Sequence, residues 1–190
     1  MIVAAILFVV IAGVLCGAAV LALLGIGQLS LSGVGAIERD GLARGQRAPR
    51  WSLPDQAGTP RSSPPGRPLQ LIVFADHSLR SFPSVVTGMR AMRDAAGDEL
   101  EIVILTRGKA GRSVPLLSQL GLDGVPVLSG SPRLYAGYNV RVMPFAIFVD
   151  AAGLVRASSL VNHDWQLAKM RRLAALPVEP GELAAVLPCC

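Results

Sequence analysis

Leu69-Gln70-Leu71-Ile72-Val73-Phe74-Ala75-Asp76-His77-Ser78-Leu79-Arg80-Ser81-Phe82-Pro83 is the stretch on which the fold turns. Leu69–Ala75 is almost continuously apolar between Pro68 and Asp76, the pattern of a strand covered on both faces rather than of one that alternates between core and water. The polar residues after it form a loop, and the spacing of Val85, Val86, Met89, Met92 and Arg93 predicts a helix over 82–96 with a largely apolar stripe. Ser81 is the expected cap of that helix, and Pro83 is tolerated in its first turn. The methionines on the stripe read as core packing, since Met fills irregular apolar gaps.

Downstream the same alternation continues. Strands are expected at 101–106, 126–128, 145–149 and 154–159, with helical segments at 113–120 and 131–136 and a last helix over 163–176. Asn162 is the expected cap of the last helix and Pro177 its stop. Asp150-Ala151-Ala152-Gly153 is a turn that makes the last two strands a hairpin. Upstream, Trp51-Ser52-Leu53 is a short extended piece ending in a turn at 55–58, and the Pro-rich stretch 62–68 reads as a loop without regular structure. Strand–helix alternation followed by a hairpin and a helix gives an α/β fold, a mixed central sheet flanked by helices.

Ile2–Gly27 contains no charged side chain. At about 1.5 Å per residue it is long enough to cross a hydrocarbon layer of about 30 Å. It lacks the basic start of a signal peptide, and bulky Val14 and Leu15 before Cys16 argue against lipoprotein processing. The expected organisation is a transmembrane anchor over 1–28, a juxtamembrane linker over 29–46, a folded domain over 47–178 and a tail over 179–190. Glu38, Arg39, Asp40, Arg44, Arg47 and Arg50 give the flank a small positive excess, which by itself would hold the domain in the cytoplasm.

The net charge of +5 is scattered, with no basic helix and no aromatic platform interleaved with arginine, so nucleic-acid binding is not expected. The three cysteines are Cys16, Cys189 and Cys190, which do not make a disulfide framework. A terminal cysteine pair also occurs in prenylated small GTPases, but no GTPase motif accompanies it here. His77 and His163 are the only histidines and lie far in sequence from the thiols, so no metal site and no cofactor is expected. Asp76, His77 and Ser78 are the residue types of a hydrolase triad, but three consecutive side chains do not converge without an unusual turn. At the start of the last helix Asp164 suits the positive helix end, and Trp165 reads as a packing residue with an interface role as the alternative.

Several segments in order carry a family resemblance: the apolar start ending in Leu21-Ala22-Leu23-Leu24, Gly45-Gln46-Arg47-Ala48-Pro49, Trp51-Ser52-Leu53-Pro54-Asp55 with Gly58, and Leu71-Ile72-Val73-Phe74. Val140-Arg141-Val142-Met143-Pro144-Phe145-Ala146, then Asp150, Gly153, Leu154-Val155-Arg156 and Val161-Asn162, complete the series. Together they resemble the membrane-anchored thioredoxin-like proteins of methylamine utilisation, the MauD family, and more distantly the TlpA-like thiol-disulfide oxidoreductases. The resemblance implies a thioredoxin-like fold, a single-pass inner-membrane protein with its soluble domain in the periplasm, and a role in the disulfides of the methylamine dehydrogenase small subunit. It opposes the flank-charge reading of orientation and, covering nearly the whole chain, outweighs it.

Against that family the chain departs at the redox pair: the two positions of Cys-x-x-Cys hold Leu79 and Phe82. Neither forms a thiolate, so no catalytic residue is assigned. By the same match Met143-Pro144 is the cis-proline position, where the backbone before the proline pairs with an extended client. The expectation is a non-catalytic, membrane-tethered domain that binds or positions an extracytoplasmic client protein, with Met143, Pro144, His77 and Trp165 as candidate peptide contacts. An exposed apolar patch around Leu79, Phe82 and Trp165 would favour recognition, and a sealed surface would leave a scaffold. The alternative is thiol–disulfide exchange through Cys189 and Cys190 or through cysteines of a partner.

Overall fold

A computed structural model describes residues 40–177. The anchor, the linker up to residue 39, the tail from 178 and all three cysteines lie outside the described residues. Among the described residues no helix is long and apolar enough to cross a membrane.

The chain forms β1 (Trp51–Pro54), β2 (Pro60–Ser63), β3 (Leu69–Phe74), α1 (Phe82–Ala96), β4 (Leu100–Thr106), α2 (Val114–Gln119), β5 (Val127–Ser129), α3 (Pro132–Gly137), β6 (Phe145–Asp150), β7 (Val155–Leu160) and α4 (Asp164–Ala175). The main sheet has the order β5-β4-β3-β6-β7. β3 runs parallel to β4 and antiparallel to β6, β4 is parallel to β5, and β6 and β7 are antiparallel. This is the mixed α/β sheet expected from the sequence.

The continuous apolar runs follow from burial of both sheet faces. Leu71 and Val73 of β3, Ile102 and Ile104 of β4, and Ala146 and Phe148 of β6 point to one side, where they pack with Val85, Met89, Leu167 and Met170 from α1 and α4. Their neighbours Ile72, Phe74, Val103, Leu105 and Ile147 point to the other side and meet Tyr135 and Tyr138. One residue of offset decides which core a side chain enters, because successive strand side chains alternate across the pleat. α1 and α4 lie so close that a Cβ on Gly88 would meet the Asp164 Cα at 2.9 Å, so this crossing requires glycine.

Two local expectations are corrected here. The Pro-rich stretch contains a strand after all: β2 pairs with β1 through Trp51↔Ser63 and Leu53↔Arg61, and Gln70 of β3 ties the hairpin to the sheet by donating to the Ser62 carbonyl at 2.9 Å. Prolines end a two-stranded ribbon without forbidding it, since they need only avoid the donor positions. The end of the expected linker is part of the fold, because Gly41 and Gly45 donate to Asn139 and Val155 carbonyls at 2.9 and 2.8 Å, and Leu42 is buried.

Capping differs as well. Ser81 stands at the start of α1 but its side chain makes no capping bond. In α4 the cap position is His163 rather than Asn162, and the Gln166 side chain reaches back to accept from the backbone N–H groups of Asn162 and His163 at 2.6 and 2.9 Å. Ser131 does cap α3, accepting from the Leu134 N–H at 3.3 Å.

Candidate functional site

Phe74 at the end of β3 pairs with Phe145 at the start of β6, and Phe145 pairs in turn with Leu160 at the end of β7. That register brings three loops to one end of the sheet: residues 75–81 before α1, 141–144 before β6 and 161–163 before α4. The Met143–Pro144 peptide bond is cis, as is Ser63–Pro64. Pro144 is buried and its carbonyl accepts from the Val161 N–H at 3.0 Å, tying two of the loops together. The first turns of the two helices that follow, α1 and α4, are joined by the Ser84 hydroxyl, which accepts from the Asp164 N–H at 3.3 Å.

The loop before α1 is shaped by Asp76. One carboxylate oxygen accepts from the Ser78 N–H and hydroxyl at 3.0 and 2.8 Å, and the other from the Thr106 hydroxyl at 3.1 Å. The Asp76 carbonyl accepts from the Leu79 N–H at 3.1 Å, and the Leu79 carbonyl from the Phe82 N–H at 3.0 Å. This is a turn closed by an aspartate side chain on its own backbone, a standard way to fix a strand-to-helix corner. His77 Nδ1 lies 3.3 Å from the same Asp76 oxygen that the Ser78 hydroxyl bonds. The imidazole is therefore not placed between acid and hydroxyl, and the arrangement lacks the relay of a hydrolase.

Leu79 and Phe82 do not form an exposed apolar patch. Phe82 is 0% exposed and belongs to the core under α1, while Leu79 is half-buried and packs on that same core. Trp165 is 59% exposed, which corrects the packing reading for it; its ring stacks on His163 with centroids 6.4 Å apart. Met143 is half-buried against the opposite core, and neighbouring Val142 is 43% exposed. The backbone groups of Val142 and Met143 make no hydrogen bond to the described residues. At this end of the sheet Val142 and Trp165 are open, Leu79 and Met143 are half-buried, and Phe82 is sealed.

Thr106, Ser84 and Gln166 are the site residues that sequence reasoning missed. Thr106 ends β4 just as Ala75 follows β3, so parallel pairing of these strands places it beside Asp76; the pairing partner, 30 residues away, is what the sequence does not declare. Among the described residues no group of three His, Cys, Asp or Glu side chains is placed to hold a metal ion.

The Ser78 N–H is the largest influence on Asp76 and holds its carboxyl below the ordinary 3.8; burial opposes this, and the Ser78 and Thr106 hydroxyls and His77 add to the lowering. Asp55, in the turn after β1, is also held low: burial pushes it up most strongly, but the N–H groups of Thr59 and Ala57 and the Arg61 guanidinium together outweigh that. A carboxyl lowered on folding contributes stability at pH values above its unfolded value, and that contribution disappears as pH falls through the folded value. The melting temperature is therefore expected to fall as pH drops below about 4, and the Asp55→Asn and Asp76→Asn variants to show a shallower fall when followed by circular dichroism. A pH dependence identical to the parent in both variants would contradict this account.

No protein-family model and no curated protein sequence matches the chain. Solved structures do match its fold. The thioredoxin domain of a thiol-disulfide oxidoreductase from Bacteroides vulgatus is 17% identical with a TM-score of 0.56, over 67% of this chain and 97% of that one. Peroxidoxin BcpB from Mycobacterium tuberculosis is 14% identical with a TM-score of 0.59, over 77% and 99%. A secreted Mycobacterium tuberculosis disulfide oxidoreductase homologous to E. coli DsbE is 17% identical with a TM-score of 0.54, over 66% and 96%. The chain has the thioredoxin-like fold, and its structural neighbours include thiol-disulfide oxidoreductases.

Proposed function

We propose that this chain is a membrane-tethered thioredoxin-like recognition domain that binds or positions a client protein and carries out no electron transfer of its own. The observation that carries the reading is chemical: residues 40–177 contain no cysteine, and Phe82, at the second thiol position, is wholly enclosed in the core. Thiol–disulfide exchange needs an attacking thiolate and a resolving sulfur within reach, and a phenyl ring supplies neither. The cis-proline corner and the free main chain beside it support recognition of an extended peptide, since an unpaired backbone edge is what such a segment adds to.

In this reading residues 1–28 anchor the chain in the inner membrane, the soluble domain faces the periplasm, and the client is an extracytoplasmic enzyme undergoing maturation. The MauD resemblance directs the choice of client to methylamine dehydrogenase. Tethering raises the local concentration of a weak recognition domain near membrane-proximal clients. Val142, which is exposed, and half-buried Met143 beside it are the contact residues of this reading, and Phe82 is sealed.

Affinity capture with detergent-solubilised full-length protein tests this reading. A client subunit is expected to co-purify with the parent and to be lost, tenfold or more for a central contact worth about 1.4 kcal/mol, from a Val142→Glu/Met143→Glu variant that still melts cooperatively. Reproducible recovery of no partner, or equal recovery with the variant, would reject it.

A further inference from the structure

Four large apolar side chains are exposed among the described residues, and three of them, Trp165 at 59%, Leu173 at 43% and Leu176 at 50%, belong to α4 or to the residue that ends it. Trp165, Lys169, Arg172 and Leu176 follow one another at spacings of four, three and four residues, which places them on one stripe of the helix. The stripe has a Trp at one end, a Leu at the other and cations between them. Open grooves flank it on both sides. One, of about 390 Å³, lies toward β7 and includes Arg44, Arg156 and Lys169; the other, of about 560 Å³, lies toward α1 and includes Arg171 and Arg172. Asp164 is the one acid lining either groove.

The first described residues run beside β7, with the Gly45 N–H donating to the Val155 carbonyl at 2.8 Å and the Ser158 hydroxyl to the Leu42 carbonyl at 2.7 Å. Arg44, four residues into the folded body, donates to the carbonyls of Leu176 and Pro177 at 2.7 and 3.0 Å, and Arg156 donates to the Leu176 carbonyl at 2.5 Å. Entry and exit segments are thus clamped together at the Leu176 end of the stripe. Residues 28–39 connect the apolar stretch to Asp40, which pairs with Arg141 at 2.8 Å, and span at most roughly 40 Å when fully extended.

We propose that the exposed face of α4, from Trp165 to Leu176, rests on an anionic membrane surface. Its residue types fit that occupant: Trp favours the headgroup level, apolar side chains enter the acyl boundary, and Lys and Arg are attracted to anionic lipid. A protein partner would equally use the Trp, but an anionic lipid surface also accounts for the cations that line both grooves beside it. The inference rests on the reading of residues 1–28 as an anchor, because a connection of this length brings the face within reach of the bilayer without pressing it there.

The test uses the full-length chain in vesicles. Alkaline extraction first establishes whether the chain is integral to the bilayer. Tryptophan emission is then compared in vesicles of phosphatidylglycerol with phosphatidylcholine and of phosphatidylcholine alone, each with lipids brominated at shallow acyl positions. Trp51 and Trp165 are the only tryptophans, and Trp51 is turned inward to donate to the Tyr138 hydroxyl at 3.0 Å, so the difference between the parent and Trp165→Phe isolates Trp165.

The expected result is quenching of the Trp165 component by roughly twofold or more in anionic vesicles, with a docking equilibrium weakened roughly thirtyfold or more in Lys169→Glu/Arg172→Glu. Resistance to alkali with Trp165 unquenched would overturn the docking alone, as would equal quenching in phosphatidylcholine or an undiminished effect in the charge variant. Release by alkali would remove the anchor and, with it, this proposal.

Discussion

Phe82→Ala is expected to lower the unfolding free energy by about 3–5 kcal/mol, the usual cost of removing a fully enclosed phenyl ring and leaving the space unfilled. For a domain of this size that corresponds to a fall in melting temperature on the order of 10–20 °C. The reason is position: Phe82 is 0% exposed and shares its core with Val85, Val86, Met89 and the strand residues beneath them. Leu79→Ala, at a half-buried site, is expected to cost about 1–2 kcal/mol, since less apolar area returns to water. Urea denaturation of both variants measures the contrast, with the slope unchanged if only stability is altered. A Phe82→Ala loss below about 1 kcal/mol would mean that the ring faces an open cleft, and the view of this corner as a filled core would fail.

Insulin-disulfide reduction by the full-length protein is expected to proceed at the rate of buffer with the same thiol reductant. Enzymes accelerate their reactions by about 10⁶-fold or more, so even a poor oxidoreductase would be visible above that background. The decisive comparison is with Cys189→Ser/Cys190→Ser. Turnover present in the parent and abolished in this variant would restore an oxidoreductase working through the terminal pair and reject the non-catalytic reading. The expectation of no turnover follows from the absence of cysteine between Cys16 and Cys189, across the whole folded body, and from the low intrinsic fitness of adjacent cysteines to close an unstrained ring.

Several of the neighbours that share the fold are named as oxidoreductases, yet a fold places a site without supplying its chemistry. Here the corner between β3 and α1 is kept by other means. Asp76 bonds Ser78 and Thr106, holding the loop in shape through a carboxylate and two hydroxyls. Val142 and Met143 precede β6, whose Phe145 pairs with Phe74 at the end of β3, so their main chain lies at the same end of the sheet as this corner.

Much of the fold was legible because both sheet faces are buried. Long apolar runs at β3, β4 and β6 mark central strands, and the Met and Val spacing marks α1. β2 was not legible, because four residues among prolines carry no period, and its pairing with β1 is settled by Gln70 reaching across from the neighbouring sheet. The cap of α4 was misplaced by one residue, since both Asn162 and His163 precede the helix and only the Gln166 side chain chooses between their backbone groups.

For the site, sequence by itself determined which atoms are available: no cysteine occurs from residue 40 to 177, and no loop geometry creates a thiolate from Leu79 or Phe82. Tertiary structure alone decided which apolar residues are sealed and which are open. Phe82 and Trp165 both stand in the first turn of an amphipathic helix, and their own periodicity does not separate them. The sheet roofs the face of α1 that bears Phe82, whereas no described segment covers the face of α4 that bears Trp165. Burial is a property of what another part of the chain lays over a residue, and that is written in long-range packing rather than in local sequence.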